Sequence, residues 1–540
     1  MFVRKATGLV RTAGWLTTCS LTFMYLTSGI PMYPFQAIHW FPGANIPLSY
    51  AFGFGIMVWP AFVIMFLTVA MPRTSSDYVA VSRILNPMLG FMGIGLQWIN
   101  LIWVFGAVAL FAIWYFGAAF SLLGTIMHQT GLLSLGTLLT EYGNPYVIAV
   151  TIILCVLLAI LVLAGMKWVG YIQNTLFILS MIGVVAGVAV VAYFSFAGTA
   201  ASQAAWDVTY GAGAWQEVID VAVKNGYYDH VAAATGNPEI WGWPGKWDFW
   251  QTGQATMLAC YAIWGWEISN IAAGEIKEPS RNYPIGILVS FVITLVWYMS
   301  VMYWIYSAYA QFIPMYNYIT MGGYRDQLTI NPGAEPSLFF YEASLVGSSP
   351  ILAAIIILAQ NIGIMLGACV SMMVLCSRIM FAWAFDRVIP TVFARVNDRW
   401  HTPHWSILFV FIIGVVFIIA SAYAPYLMAV NVYALAGFRY LVIGWAGTIY
   451  PYRRPEVFER AFPWKVAGVP VVSICGVLAT LSGGWLLLTN LFIIPAEEHW
   501  SKLLQVFLFS VVAVWWAVYY IYNKSKGIDM DALYREIPPA

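Results

Sequence analysis

The feature that most constrains this chain is a succession of twelve long apolar segments with polar stretches between them. Hydrophobic residues make up 61% of the 540 residues and charged residues only 9%, which lies outside the range of water-soluble proteins. A helix needs roughly 20 apolar residues to cross the bilayer, whereas a barrel strand needs about ten alternating ones. The sequence therefore predicts an all-α polytopic membrane protein in a lipid bilayer. The expected spans are residues 14–38, 48–71, 86–120, 145–165, 168–196, 249–277, 284–311, 349–385, 404–423, 427–450, 467–494 and 500–522.

The basic residues predict the orientation of the chain. Lys and Arg favour the cytoplasmic side of short loops. With the N-terminus inside, only four of the 24 Lys and Arg residues fall in outer segments: Lys224, Lys246, Arg325 and Lys502. We therefore expect a multi-pass plasma membrane protein with both termini in the cytoplasm. No basic cluster indicates nucleic acid as a partner.

Cysteine and histidine positions indicate neither a cofactor nor a metal. All six cysteines fall inside spans without a CxxC pair, and all six histidines fall in loops or at span ends. A disulfide framework, a zinc site and haem ligation are therefore not expected. No nucleophile with a neighbouring base is visible among the spans, so an enzyme is the least favoured class.

Two spans contain a sequence that breaks a helix. Span 1 carries TSGIP at residues 27–31, and span 6 carries Gly265 between two tryptophans, with Glu267 shortly after. Glycine permits irregular dihedral angles and proline removes a donor. Unpaired backbone groups at membrane depth are tolerated where they line a polar cavity, so a discontinuous helix indicates a ligand site. A simple proline kink is the alternative.

The positions of the two breaks predict an internal symmetry. Spans 1 to 5 and spans 6 to 10 each begin with a broken helix, and an odd number of spans inverts the second half. Free N–H groups at such breaks favour an anion and free carbonyls a cation, so the pair suits a zwitterion. The expected units are a first repeat (1–196), an extracellular loop (197–248), a second repeat (249–450), two further spans (451–523) and a cytoplasmic tail (524–540).

Polar residues inside the spans are further candidates. Arg439 lies within span 10, and its expected partner is Glu267. Coupling to an ion and a structural lock remain equal alternatives for this pair. Asn100 and Asn361 are candidates for lining a ligand path, with interhelical hydrogen bonding as the alternative.

Three stretches resemble the amino acid/polyamine/organocation transporter superfamily. They are YAIWGWEISNIAAGEIKEPSRNYP from residue 261, AMPRTSSDYVAVSRILNPMLGF from residue 70 and SRIMFAWAFDRVIPTVFARVNDRWHTP from residue 377. The resemblance covers essentially the whole chain. It implies a LeuT-type fold of five plus five inverted helices with two extra helices, and alternating access without ATP hydrolysis.

The resemblance also implies roles for individual residues. Tyr261 corresponds to a gating aromatic, with ordinary packing as the alternative, and Trp266 bears on substrate size and gating. Ser180 aligns where some proton-coupled members carry a lysine in place of a sodium ion, which leaves the coupling ion open. The substrate-binding residues implied are Thr27, Ser28, Gly29 and Ile30 in span 1 and Tyr261, Ala262, Trp264 and Gly265 in span 6.

The function implied is secondary active transport of amino acids or related amines, as a symporter or antiporter coupled to protons or sodium ions. The alternative is a non-transporting subunit or receptor that keeps the fold and binds a partner through its outer loops. Saturable uptake of labelled substrate discriminates the two. The resemblance leaves the amino acid, the oligomeric state and the roles of loops 197–248 and 312–348 open.

Overall fold

A computed structural model describes residues 7–141, 143–329, 336–424, 433–492 and 499–538. Helices dominate this part of the chain, and one two-stranded antiparallel hairpin pairs β1 (Lys465–Val466) with β2 (Val469–Pro470). The α-helices are α1 Trp15–Thr27, α2 Tyr33–Trp40, α3 Ile46–Ala70, α4 Ser76–Ile84, α5 Pro87–Ile126, α6 Thr130–Thr140, α7 Pro145–Leu163, α8 Met166–Ala197, α9 Thr199–Tyr210, α10 Ala214–Lys224, α11 Tyr227–Thr235, α12 Phe249–Ala262, α13 Pro279–Tyr309, α14 Phe312–Met321, α15 Leu338–Ser344, α16 Pro350–Gln360, α17 Gly367–Phe385, α18 His404–Tyr423, α19 Tyr433–Arg453, α20 Pro455–Ala461, α21 Val471–Phe492, α22 His499–Ser525 and α23 Met530–Arg535.

Nine stretches of the described chain are long and apolar enough to cross a membrane. They coincide with nine of the twelve predicted spans, so the protein is a polytopic helical membrane protein. The predicted spans 14–38 and 249–277 are each divided between two shorter elements. The predicted span 427–450 begins among residues 425–432, which lie outside the described residues, as do Arg4 and Lys5 of the basic N-terminus.

Both predicted helix breaks are present. Residues 28–32 form turns between α1 and α2, where Pro31 has no N–H to continue the helix. Residues 263–267 form turns after α12, and Gly265 has φ +95°, a conformation that favours glycine. The chain then continues as a 3₁₀ helix, Ile268–Glu275, rather than as an α-helix. Side chains of this 3₁₀ helix form hydrogen bonds with other elements: Ser269 accepts from Thr22 of α1, and Asn270 donates to Ser76 of α4.

Shorter elements cover the two ends of the bundle. We call the end with residues 7–14, α4 and α23 the terminal face, and the end with α9 to α11 the opposite face. At the terminal face Ala13 and Ile276 form a parallel bridge. At the opposite face the predicted loop 197–248 contains three helices, and the predicted loop 312–348 contains α14 and α15.

Two local features position the bundle. A π-helical turn, Asn361–Leu366, joins α16 to α17, and such turns are frequent at functional sites. Glycines bring the backbones of α19 and α21 together, since a Cβ at Gly437 would lie 2.8 Å from Leu487 N and one at Gly444 would meet Thr480 N. Gly476 and Gly483 make the reciprocal contacts from α21. These small residues allow a close interhelical approach.

Candidate functional site

The two broken segments cross each other at their breaks. A Cβ at Gly29 would lie 3.5 Å from Ala262 Cα and 2.7 Å from Tyr33 Cδ2. A Cβ at Gly265 would lie 2.7 Å from Tyr25 Cδ1. Gly29 therefore makes room for Tyr33 of its own segment and touches Ala262, Gly265 makes room for Tyr25 of the other segment, and the two breaks predicted from sequence lie against each other.

Backbone groups at this crossing are left without partners. Within the described part of the chain, the N–H groups of Gly29, Gly265 and Trp266 donate to no protein acceptor, and the carbonyls of Leu26 and Ile263 accept from no donor. Nearby hydroxyls bond their own helix, because Thr27 Oγ1 donates to Phe23 O and Ser28 Oγ to Tyr25 O. The free donors and acceptors are therefore available to a ligand with groups of both polarities.

The predicted span 1 residues differ in accessibility. Ser28 and Gly29 are half-buried, whereas Thr27 and Ile30 are buried. Ser28 and Gly29 are thus the more exposed of the four span 1 residues predicted to bind substrate.

Tyr261 lies where α12 ends at the break. Its hydroxyl accepts from Asn490 Nδ2 of α21 at 3.1 Å, and its ring centroid is 6.3 Å from that of Tyr33 on α2. Asn490 in turn accepts from Gln505 of α22. The two tyrosines therefore lie on the opposite-face side of the break, in reach of one another across the two broken segments.

The two tryptophans that flank Gly265 have different surroundings. Trp264 is buried and its indole Nε1 lacks a hydrogen-bond partner. Trp266 stacks on Phe291 of α13, with ring centroids 4.4 Å apart, and donates from Nε1 to Met57 O of α3. Trp266 thus packs between α3 and α13, and its role in gating and substrate size stays a prediction.

Arg439 bridges two buried carboxylates. Its Nη1 donates to Glu267 Oε1 at 2.8 Å, the partner expected from sequence, and its Nη2 donates to Asp77 Oδ2 of α4 at 2.7 Å. Tyr440 also donates to Glu267 Oε1 at 3.0 Å, while Glu267 Oε2 has no partner. All three ionised side chains are at most 2% exposed. One guanidinium thus holds the carboxylates of Asp77 and Glu267 together.

Two further buried ion pairs lie at the terminal face. Arg378 of α17 makes a bidentate pair with Glu275, and Arg83 of α4 makes one with Asp386. Together with Arg439 these pairs form what we call the ion-pair cluster, with three guanidiniums and four carboxylates. The three stretches that carry the family resemblance meet here, because each supplies charged members of the cluster.

The C-terminal helix α23 packs onto the same cluster. The Tyr534 ring lies 5.0 Å from the Arg83 guanidinium carbon, and its hydroxyl is 3.4 Å from that of Tyr78, which donates to Asp386. Arg83 Nε also donates to Glu536 O. The segment after α22 therefore covers the ion-pair cluster at the terminal face.

The remaining polar candidates occupy positions between helices. Asn361 donates to Ala112 O of α5, and the Asn100 side chain is buried without a partner. Ser180 donates to Phe177 O of its own helix. Two turns earlier on α8, Gln173 donates to Gly367 O and Ser371 Oγ, and Ser371 donates to Leu21 O. A neutral amide therefore links α8 and α17 beside α1.

Sequence reasoning missed several of these groups. Asp77 was not expected to pair with Arg439, although an acidic residue in the amphipathic segment before span 3 was a visible signal. Gln173 and the Glu275–Arg378 pair were also missed. Within the described residues, no three His, Cys, Asp or Glu side chains are placed to hold a metal ion.

Comparison with known proteins agrees with this architecture. No curated protein matches the chain. The family described as amino acid permease matches residues 14–518, which includes both broken segments, the ion-pair cluster residues, α20, α21 and most of α22. The chain therefore belongs to the amino acid permease family of the amino acid/polyamine/organocation superfamily.

Proposed function

We propose that the protein is a secondary active transporter that moves amino acids or related amines across the membrane by alternating access. The family supports a membrane transporter rather than an enzyme, with a small-molecule substrate. The proposed architecture has twelve spans, with two inverted repeats of five followed by two helices. The crossing of the broken segments is the proposed substrate site.

The observation that carries the proposal is the set of unpaired backbone groups at this crossing. A substrate carboxylate would accept from the N–H groups at Gly29 and Gly265, where the positive ends of peptide dipoles are unpaired. Its ammonium group would donate to the carbonyls at Leu26 and Ile263. Since both sets occur within one crossing, a zwitterion matches them better than a purely anionic or cationic ligand.

The ion-pair cluster supports alternating access. Its seven charged side chains are buried, and they tie α4, α17 and α19 to the segment that follows the span 6 break. Breaking these contacts would open the terminal face toward the substrate site, while their formation closes it. We assign Glu267 and Arg439 a gating role, with proton coupling, sodium coupling and exchange as the alternatives for the driving force.

The proposed orientation places the terminal face in the cytoplasm of a cell with this protein in its plasma membrane. The excess of Lys and Arg in the segments on that side supports the assignment. In this orientation the helices α9 to α11 and α15 lie outside the cell, and substrate enters past Tyr33 and Tyr261.

The first experiment is a binding screen on purified protein. Amino acids and polyamines are added singly, and a ligand that binds the folded state raises the melting temperature. Active members of the panel are then tested as labelled substrates in proteoliposomes under proton gradients, sodium gradients and preloading. We expect saturable uptake of at least one amino acid or amine.

The matched control uses two glycines of α12 and its break. Gly265→Leu places a side chain against Tyr25, whereas a Cβ at Gly253 meets nothing within 4 Å. We expect Gly253→Leu to retain ligand stabilisation and uptake and Gly265→Leu to lose both. Absence of binding and of uptake for the whole panel with folded wild-type protein would reject the proposed function.

A further inference from the structure

A buried carboxyl group lies at the opposite face, away from the ion-pair cluster. Glu342 belongs to α15, which lies outside the predicted spans and packs against α8 and α16. Its side chain is 0% exposed. Neither the proposed substrate site nor the ion-pair cluster uses this residue, so its burial needs a separate explanation.

Within the described part of the chain, the carboxyl group has one hydrogen-bonding partner. Gln360 Nε2, at the end of α16, donates to Glu342 Oε2 at 2.6 Å. A Cβ at Gly187 of α8 would lie 2.7 Å from Glu342 Oε1, and one at Gly183 would lie 2.7 Å from Gln360 Cγ. Two glycines one helical turn apart thus make the space that the acid and the amide fill.

Two acceptors in this acid–amide pair are unsatisfied. Glu342 Oε1 and Gln360 Oε1 are both buried and neither has a hydrogen-bond partner. If Glu342 carries a proton, its O–H can donate to the amide carbonyl while the amide N–H donates to the acid carbonyl. A proton on Glu342 Oε1 therefore turns one orphan acceptor into a donor that the amide oxygen can use, whereas the ionised acid supplies no donor to either.

Among the described residues, no charged side chain is placed to stabilise the ionised form of Glu342. Helices α5 and α16 contain no charged residue, and the only one in α8 is Lys167 at its other end. The titratable groups of the described residues that face α15 are all tyrosines: Tyr306 and Tyr309 of α13, Tyr210 of α9, whose hydroxyl bonds Ser344, Tyr316 of α14 and Tyr115 of α5.

Burial is the dominant electrostatic effect on this acid. It raises the pKa of Glu342 to about 8, and the hydrogen bond from Gln360 opposes the shift. The one acidic residue of α9, Asp207, accepts a hydrogen bond from Trp215 N. The orphan acceptors and the low polarity of the site therefore favour the same neutral state.

Contacts connect α15 to the span 1 break. Leu338 N donates to Pro31 O at 3.1 Å, and the Tyr341 ring lies 4.9 Å from that of Phe35 on α2. Tyr309 donates from its hydroxyl to Tyr341 O. A displacement of α15 from α8 and α16 would therefore be transmitted to the segment that carries Gly29.

We propose that Glu342 is a proton-binding site of the transport cycle, protonated while α15 is seated against α8 and α16 and deprotonated when α15 lifts into water. The proton comes from water at the opposite face and returns to water when the carboxyl is exposed. This inference rests on the proposed transport function for its role in the cycle, but proton binding itself is measurable without transport.

The first test compares thermal unfolding of wild-type protein and Glu342→Gln from pH 5.5 to 9.5. A folded-state pKa above the unfolded value means that stability is full below the unfolded pKa and is lost as pH rises through the folded pKa. We therefore expect wild-type melting temperature to fall relative to Glu342→Gln up to about pH 8 and then stay parallel to it. Glu239→Gln, an exposed loop substitution, should show a constant offset.

Infrared titration of the wild-type protein covers the case in which Glu342→Gln does not fold. A protonated carboxyl C=O band should be present at pH 6 and absent at pH 9.5, because the four other buried carboxylates of the described chain are paired with arginine. Identical pH profiles for wild type and Glu342→Gln, or no titrating carboxyl band, would overturn the inference.

The transport arm uses proteoliposomes with a substrate from the binding screen. We expect substrate exchange by wild-type protein to vary with the pH at the opposite face and exchange by Glu342→Gln to be independent of that pH. The same pH dependence of exchange in both proteins would overturn the role in the cycle. If no substrate is transported by wild-type protein, the proposed function fails, while the stability and infrared measurements still decide whether Glu342 binds a proton.

Discussion

Replacing Arg439 with methionine removes the guanidinium that holds two buried carboxylates. Methionine has a similar length and no charge, so the change isolates the loss of the positive group. Asp77 Oδ2 and Glu267 Oε1 lie 2.7 and 2.8 Å from two nitrogens of this one guanidinium. After the substitution both carboxylates remain in a site that excludes water, with Tyr440 as a donor to one of them.

The expected cost follows from this geometry. The two carboxylate oxygens are separated by roughly 5 Å, and unit charges at that distance repel by about 3 kcal/mol at an effective dielectric constant of about 20. Removing one partner of a buried ion pair costs about 3–5 kcal/mol. We therefore expect Arg439→Met to lower the free energy of unfolding by about 4 kcal/mol, a large part of the stability of an ordinary domain.

Thermal unfolding with a thiol-reactive dye measures this loss, because all six cysteines are free and buried in the folded protein. Arg460→Met, at an exposed position of α20, is the control for the change of residue type. The triple variant Asp77→Asn, Glu267→Gln, Arg439→Met removes the uncompensated charges. It should recover more than half of the lost stability.

Two results would refute this reasoning. A melting temperature of Arg439→Met equal to that of Arg460→Met would mean that the ion pairs contribute nothing. A triple variant no more stable than Arg439→Met would mean that packing, rather than unpaired charge, causes the loss. An exchange of charges between positions 267 and 439 is expected to fail, because a carboxylate in place of Arg439 would face Asp77.

Three further substitutions test other parts of the site. Gly29→Leu should abolish uptake while the protein still inserts, since its side chain would overlap Tyr33; normal uptake would contradict the site assignment. Tyr261→Phe should weaken the closed site by about 1 kcal/mol through loss of the Asn490 contact, measured as a raised substrate dissociation rate, and Tyr261→Ala should have a larger effect. Tyr534→Ala should raise the labelling of a Ser82→Cys reporter, which keeps Arg83, by a water-soluble thiol reagent roughly five-fold over the same reporter with Tyr534 intact, because the cation–π contact of about 1 kcal/mol between Tyr534 and Arg83 is lost. Unchanged labelling would place the α23 contact outside the gate.

Local chemistry explains why the spans and the breaks were predictable. Membrane spans follow from uninterrupted apolar length, and Pro31 and Gly265 act on the backbone at their own positions. The pairing of Arg439 with Glu267 could also be predicted from the sequence, because few charged residues lie within the spans. The form of the segment after Gly265 was not, because a 3₁₀ helix there depends on contacts of Ser269 and Asn270 with other segments.

Long-range placement explains what the sequence did not reveal. Asp77 and Arg439 are 362 positions apart, and α4 is too short for its apolar pattern to indicate which face is buried. Trp266 follows a glycine in a positive-φ conformation, so the direction of its indole depends on a turn that the sequence marks but does not orient. Glu342 stands in a helix of seven residues within a loop, where no periodic pattern identifies a buried position.

The close approach of α19 to α21 limits how Arg439 separates from its carboxylates. Glycines at four crossing points place one backbone directly against the other, which leaves no layer of side chains along which the helices could slide. A movement of α19 that carries Arg439 therefore requires α21 to move with it. In the proposed cycle, the terminal face therefore opens by rigid-body movement: either α4 or the segment that carries Glu267 moves away from a stationary helix pair, or the pair moves as a unit. The distance between α19 and α21 stays the same in each case. A distance measured between these two helices can therefore serve as the reference for measuring either movement.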